Sequence, residues 1–300
     1  MKAASADVWP SIPWSAWTTT REALHMYAQI IGKVRLALTA RESQWANVPL
    51  YVSARGLTTT SIPFGERMLQ IDIDCIDHVV TLATSDGAVR TVPLAVKRSV
   101  ADFYHLVLDA LRAIDVDARI WPVPVEVPRP VPFADQHSVT TYDPDAAHRY
   151  WQALVRVNAV FSEYRAPFGG KHTPVELFWG TFDLAYTRYS GRAAAPPPDA
   201  DLIMRVAMNA QSIEAGFWAG DERFPEPAFF CFGYPKSADI ERATIRPAAA
   251  FWSEEIGEFL LRYEDVRAAP SPRAALLAFL QSTYDACASL GGWDEHTPGA

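Results

Sequence analysis

The chain has 300 residues, 49% of them hydrophobic, with ten Trp and fifteen Phe. That is enough apolar mass for one large domain or two ordinary ones with a substantial core, and it excludes a disordered protein. Its 35 Asp and Glu outnumber 27 Lys and Arg, for a formal charge of −8, which argues against nucleic acid or an anionic membrane as partner, since both require a basic surface.

No window approaches eighteen uninterrupted apolar residues, so no membrane-spanning helix is predicted. At the amino terminus, Asp7 and two prolines interrupt the apolar stretch that a secretory signal needs. Cys75, Cys231 and Cys287 are odd in number, lie far apart and form no CxxC pair or Cys/His cluster. A disulfide framework or structural zinc is therefore not expected, and a reduced cytoplasm fits best.

In chain order, the first helical pattern runs over 18–38. Leu24, Tyr27, Ile31, Val34 and Leu38 fall at three- and four-residue spacings, with Thr18 to Thr20 as cap candidates. Strand-like runs follow at 48–54, 68–75 and 78–84; Asp86-Gly87 is a hairpin signal, and 88–92 is the returning strand. Residues 99–114 predict a helix with Ser99 as N-cap, Asp102 three residues on, and Val100, Phe103, Val107, Leu111 and Ile114 as its buried stripe. The passage WPVPVEVPRPVP at 121–132 alternates proline with other residues, which prevents helix and favours an extended connector. A PxxP ligand for another protein is its alternative use.

Asp143-Pro144 opens a helix that reaches about Tyr164. Strand-like runs then lie at 174–189, 202–213, 227–234 and 258–263, and a helix at 272–290 is ended by Gly291-Gly292. The second half thus repeats the order of the first. The predicted fold is α+β, with two related helix–four-strand–helix halves packed into one unit: 1–120, a Pro-rich connector at 121–142, and 143–300. A single irregular α+β domain is the alternative.

Strand alternation over 174–189 sends Phe178, Phe182, Leu184 and Tyr186 to one face and Trp179, Thr181, Asp183, Ala185, Thr187 and Tyr189 to the other. The second row could grip a polar small molecule by stacking and hydrogen bonds, or it is a wet strand face, or Asp183 pairs with a structural arginine. In the matching strand of the first half Arg55 offers a two-pronged clamp for a carboxylate or phosphate; bridging to Asp183 is its structural alternative. On the first helix His25, Gln29 and Lys33 stand at i, i+4 and i+8. Such a row could bind an anion or supply a base, but it more often marks a solvated face.

The stretch IDIDCIDH at 71–78 carries carboxylates and a histidine without calcium-loop spacing, so a hairpin with a wet face is the simpler reading and no metal site is expected. FGGK at 168–171 lacks the spacing and the following helix of a phosphate-binding loop.

LHMYAQIIGKVRLAL, VPLYVSARGLTT, FWGTFDLAYTRYSGR, AGFWAG, RPAAAF and LQSTYDA, spread from about residue 9 to 294, resemble an uncharacterised bacterial family, domain of unknown function 5996. The resemblance implies a soluble bacterial protein and no particular activity. It also implies a histidine in many members at the place of Glu176 and His-Glu at Ala210-Gln211. This chain departs from the pattern there, which lowers the expectation that it is an active enzyme of that kind.

The functional expectation is a small polar or anionic ligand in an aromatic-lined cleft. Asp183, Arg188, Arg55 and Lys33 would orient it, Trp179 would be its stacking platform, and His25 is the candidate proton carrier for acid–base chemistry. No cofactor fingerprint is visible. The rival is a non-catalytic protein–protein interaction module using aromatic patches and the Pro-rich strap.

Overall fold

The computed structural model describes residues 9–293; the reading of the amino terminus rests in part on residues 1–8, which lie outside them. In chain order the elements are α1 (Trp14–Leu38), β1 (Tyr51–Val52), β2 (Gly56–Thr58), β3 (Ile62–Phe64), β4 (Arg67–Asp74), β5 (Val79–Thr84), β6 (Val89–Pro93), β7 (Arg98–Ser99), α2 (Val100–Arg112) and β8 (Val139–Thr140). Then come α3 (Pro144–Arg165), β9 (Glu176–Phe178), β10 (Asp183–Ala193), α4 (Leu202–Ala207), β11 (Ala210–Trp218), β12 (Ala228–Tyr234), β13 (Phe251–Ser253), β14 (Glu258–Arg262), α5 (Tyr263–Ala268) and α6 (Pro272–Leu290). The fold is mixed α+β with antiparallel sheets. Among the described residues no helix is long and apolar enough to cross a membrane.

Among the described residues the chain divides into two compact units, one of residues 14–151 and 176–183, the other of 9–13, 152–175 and 184–293. In the first unit a sheet runs β1–β2–β4–β5–β6, with β3 also paired to β4. Alternation sends Leu69, Ile71 and Ile73 of β4, and Val80 and Leu82 of β5, into the core. The stripes expected on the helices complete it: Leu24, Tyr27, Ile31 and Val34 from α1, and Val100, Phe103, Val107 and Leu111 from α2, are buried, while Leu38 at the end of α1 is half-buried. Tyr27 stacks on Phe103 with ring centroids 3.8 Å apart. The Asp86-Gly87 signal is the β5–β6 hairpin, where Gly87 adopts φ +94°, a conformation that favours glycine. The proline-rich passage lies inside this unit, and Val125 within it exchanges two hydrogen bonds with the Gln29 side chain (2.7 and 3.0 Å).

In the second unit the sheet runs β13–β14–β12–β11–β10, and α6 packs on β11 and β12. Trp9, Phe217, Phe229 and Tyr263 form one aromatic cluster on the same side as Phe259 and Leu261. Ser271 caps α6 by accepting from the Ala274 amide, with Pro272 in the first turn.

Three local expectations change. Helix α1 starts at Trp14, so Thr18 donates its hydroxyl to the Trp14 carbonyl inside the helix (2.6 Å) and caps nothing. Residues 202–207, read as strand, form α4, because Asp201 accepts from the Met204 amide and starts a helix there (2.9 Å). The run 174–189 is not one strand. A turn at 179–182 separates β9 from β10; the Phe182 amide donates back to the Phe178 carbonyl (2.8 Å), and Phe182 itself takes φ +63°. The turn breaks the alternation that set Trp179 and Asp183 in one row, and β10 is buried on both faces from Asp183 to Tyr189.

Helix α2 opens with a complete capping box: Ser99 Oγ accepts from the Asp102 amide (3.0 Å) and the Asp102 carboxylate accepts from the Ser99 amide (3.2 Å). Replacing Ser99 by Ala removes the acceptor of the Asp102 amide and leaves the bond from the residue-99 amide to the Asp102 carboxylate in place. The expected loss is about 1 kcal/mol in urea-induced unfolding, with helical circular dichroism otherwise unchanged.

Candidate functional site

The polar stripe of α1 turns inward. His25, Gln29 and Lys33 are 5%, 0% and 3% exposed, against the commoner expectation of a solvated face. What covers the stripe is the turn 179–182 of the same unit together with the proline-rich passage. His25 Nε2 donates to the Gly180 carbonyl (2.9 Å), and the imidazole stacks on Phe182 at 5.2 Å. A carbonyl can only accept, so the Nε2–H tautomer is the one held. Gln29 donates to the Val125 and Gly180 carbonyls (2.7 and 3.3 Å) and accepts from the Val125 amide. The left-handed turn at Phe182 places its ring between His25 and Tyr150, the latter at 5.5 Å.

Next along the stripe stands Lys33, with Nζ 5.3 Å from the centre of the Trp179 ring. Trp179 is fixed by donating its indole N–H to the Val48 carbonyl (2.9 Å). It lies so close to α1 that a Cβ added at Gly32 would fall 2.2 Å from the indole. Glycine at 32 is thus what lets the indole lie on the helix. Among the described residues Lys33 has no ion-pair or hydrogen-bond partner. Burial, with no neighbouring charge contributing, pulls its ammonium down to about 8. Burial likewise, aided by the nearby Arg21 charge, brings His25 down to about 4, so the imidazole is neutral at physiological pH and serves to hold the turn.

The other residues singled out from sequence go elsewhere. Arg55 is half exposed and pairs with Asp74 and with Asp77, the latter at 2.6 Å; Asp183 is not its partner. The reason is local: β1 ends at Val52, and the chain turns tightly into β2 at Gly56, where a Cβ would meet the Ile73 carbonyl. Arg55 is left at that corner, beside the β4–β5 turn that carries both aspartates. Asp74 further accepts from the Ile76 and Asp77 amides (2.7 and 2.8 Å), so the acidic stretch at 71–78 is a self-bonded turn. Asp183 is buried and accepts from the Thr181 hydroxyl.

Arg188 belongs to the second unit. The residue is 3% exposed, and its guanidinium lies 3.9, 4.6, 4.4 and 5.6 Å from the rings of Tyr164, Phe168, Tyr284 and Tyr186. Nη2 donates to the Tyr164 carbonyl (2.9 Å). This box of aromatic faces compensates a buried cation without a carboxylate. One group that the pattern reading missed is Glu258, a half-buried carboxyl pushed up to about 8 by burial and by the nearby Glu214 charge, while Thr187 donates its hydroxyl to Glu214 (2.9 Å). Register could have signalled it: Glu214 faces Phe232 on β12, one place beyond the Cys231–Phe259 pair, which puts Glu258 on Phe232's other side.

A model of a family of unknown function, DUF5996, matches residues 9–298 of the chain. No curated protein and no solved structure matches it.

Two expected outcomes follow from the geometry around Trp179. Gly32→Ala forces the indole off α1 and costs about 1–3 kcal/mol in denaturant unfolding. Lys33→Met acts in the opposite direction. With its amine held at about 8, the native state binds fewer protons than the unfolded chain between there and the usual lysine value. Native stability therefore climbs across that window, and the penalty of Lys33 is fully present below it. The Met variant should be more stable by about 1–3 kcal/mol at pH 7, with the gain shrinking toward pH 10 in parallel urea titrations.

Proposed function

We propose that this chain, which belongs to the DUF5996 family of unknown function, binds a small anionic ligand at Lys33 beside Trp179. One observation carries the reading. The Lys33 side chain is 3% exposed and its ammonium lies 5.3 Å from the centre of an indole ring, with no carboxylate paired to it among the described residues. A buried unpaired charge costs several kcal/mol, and a structural lysine would be given an acid partner or replaced by an apolar side chain. An anion supplies the missing countercharge, and the indole supplies a flat apolar wall. In this reading His25 and Gln29 position the turn that carries Trp179, and a proton is exchanged at the Lys33 amine. The two-copy organisation belongs to the same proposal. Helix, antiparallel strands and helix recur in that order, as α1 to α2 and as α3 to α6.

A second reading has one specific observation behind it. Trp121, at the head of the proline-rich passage, is 69% exposed, a large apolar ring of the kind that anchors protein partners. Differential scanning fluorimetry separates the two. Malonate, oxalate and inorganic phosphate at millimolar concentration should raise the melting temperature of the wild type, and the shift should vanish in Lys33→Met and persist in Trp121→Ala. No shift with any of the three anions would sink the ligand reading.

A further inference from the structure

We infer that Lys33 is a nucleophilic amine that condenses reversibly with a small carbonyl-bearing acid, a 2-oxo acid being the ligand class. The inference deepens the anion-site reading and rests on it. Its basis is geometric. The side chain is 3% exposed, its amine makes no hydrogen bond or ion pair among the described residues, and Trp179 provides a rigid wall at 5.3 Å. Trp179 is itself immobilised by Val48 and by its fit against Gly32. An anion-binding site alone is served better by arginine, whose charge cannot be removed and whose fork matches a carboxylate. Lysine is the choice where the neutral amine is wanted, and desolvation without a neighbouring anion is the arrangement that frees its lone pair. Burial brings the ammonium to about 8, so a sizeable fraction is unprotonated near neutrality.

The step balances without any oxidant or reductant. The Nζ lone pair attacks the carbonyl carbon, a C–N bond forms, and the carbonyl oxygen leaves as water carrying both amine protons. The product is an imine, which becomes a cationic iminium on taking up one solvent proton. The ligand's carboxylate then keeps an opposite charge beside it. Water reverses the reaction.

The test uses the full chain with glyoxylate as probe. Sodium cyanoborohydride reduces an imine to a stable secondary amine, and peptide mass mapping locates the adduct. At pH 7.5 labelling at Lys33 should exceed that at the exposed Lys97, Lys171 and Lys236 by about tenfold, after allowing for the weaker nucleophilicity of a less basic amine. The Lys33 rate should rise with pH through about 8, while the exposed lysines rise only at higher pH. Equal labelling of all sites, or a Lys33 that escapes label, overturns the inference. In that event the malonate melting shift decides the fate of the wider reading: if it persists, the anion site stands without the amine chemistry, and if it is absent, both fall. Lys33→Arg provides an independent arm, expected to retain the malonate shift and to lose the adduct.

Discussion

The seating of Trp179 on α1 at Gly32 is the constraint from which the arrangement of the first unit follows. An indole within van der Waals reach of a helix backbone leaves no space for any side chain at that position. Once the indole is seated, the turn 179–182 is fixed over the adjoining stripe of the helix, and the polar groups of that stripe lose water. Each must then be satisfied from within. His25 finds the Gly180 carbonyl, and Gln29 finds both backbone groups of Val125. These bonds join three segments far apart in sequence: the first helix, the proline-rich passage and the turn after β9. Buried polar networks of this kind specify one arrangement because any displacement strands a donor or acceptor.

Lys33 is where that logic stops. The same enclosure that satisfies His25 and Gln29 leaves an ammonium against an aromatic wall and no acid. The second unit shows how the same problem is solved structurally. Arg188 is equally buried, but four rings surround it and a main-chain carbonyl accepts from it. Four aromatic faces and a charge-assisted hydrogen bond offset much of its lost hydration. Lys33 has one face and no hydrogen bond. The contrast is why Arg188 reads as architecture and Lys33 as chemistry.

Arg55 and the acidic stretch around it illustrate a third outcome. Three charged groups lie at one corner of a sheet, and all are used by one another or by the backbone of the turn. Half-exposed ion pairs like these contribute little to stability, since water screens them and side-chain entropy opposes them. Their place at the corner follows from where β1 ends and Gly56 admits the tight turn into β2.

The sequence by itself determined the elements whose signals are local. The Asp86-Gly87 hairpin, the Ser99–Asp102 capping box, the buried stripes of α1 and α2, and α6 between Ser271 and Gly291 all depend on residues within a few positions of one another. It also singled out Lys33, His25 and Trp179, because a charged or polar group in an apolar setting is visible as letters. Tertiary structure alone decided what those letters meant. A row of His, Gln and Lys at helical spacing reads the same whether water or another segment covers it, and here the cover lies about 150 residues further along the chain. The break at 179–182 was equally invisible, since it requires a phenylalanine in the left-handed region, a conformation its own sequence disfavours and the surrounding rings and the Phe182–Phe178 main-chain hydrogen bond hold in place. Periodicity records which side of an element differs from the other; it does not record what that side meets.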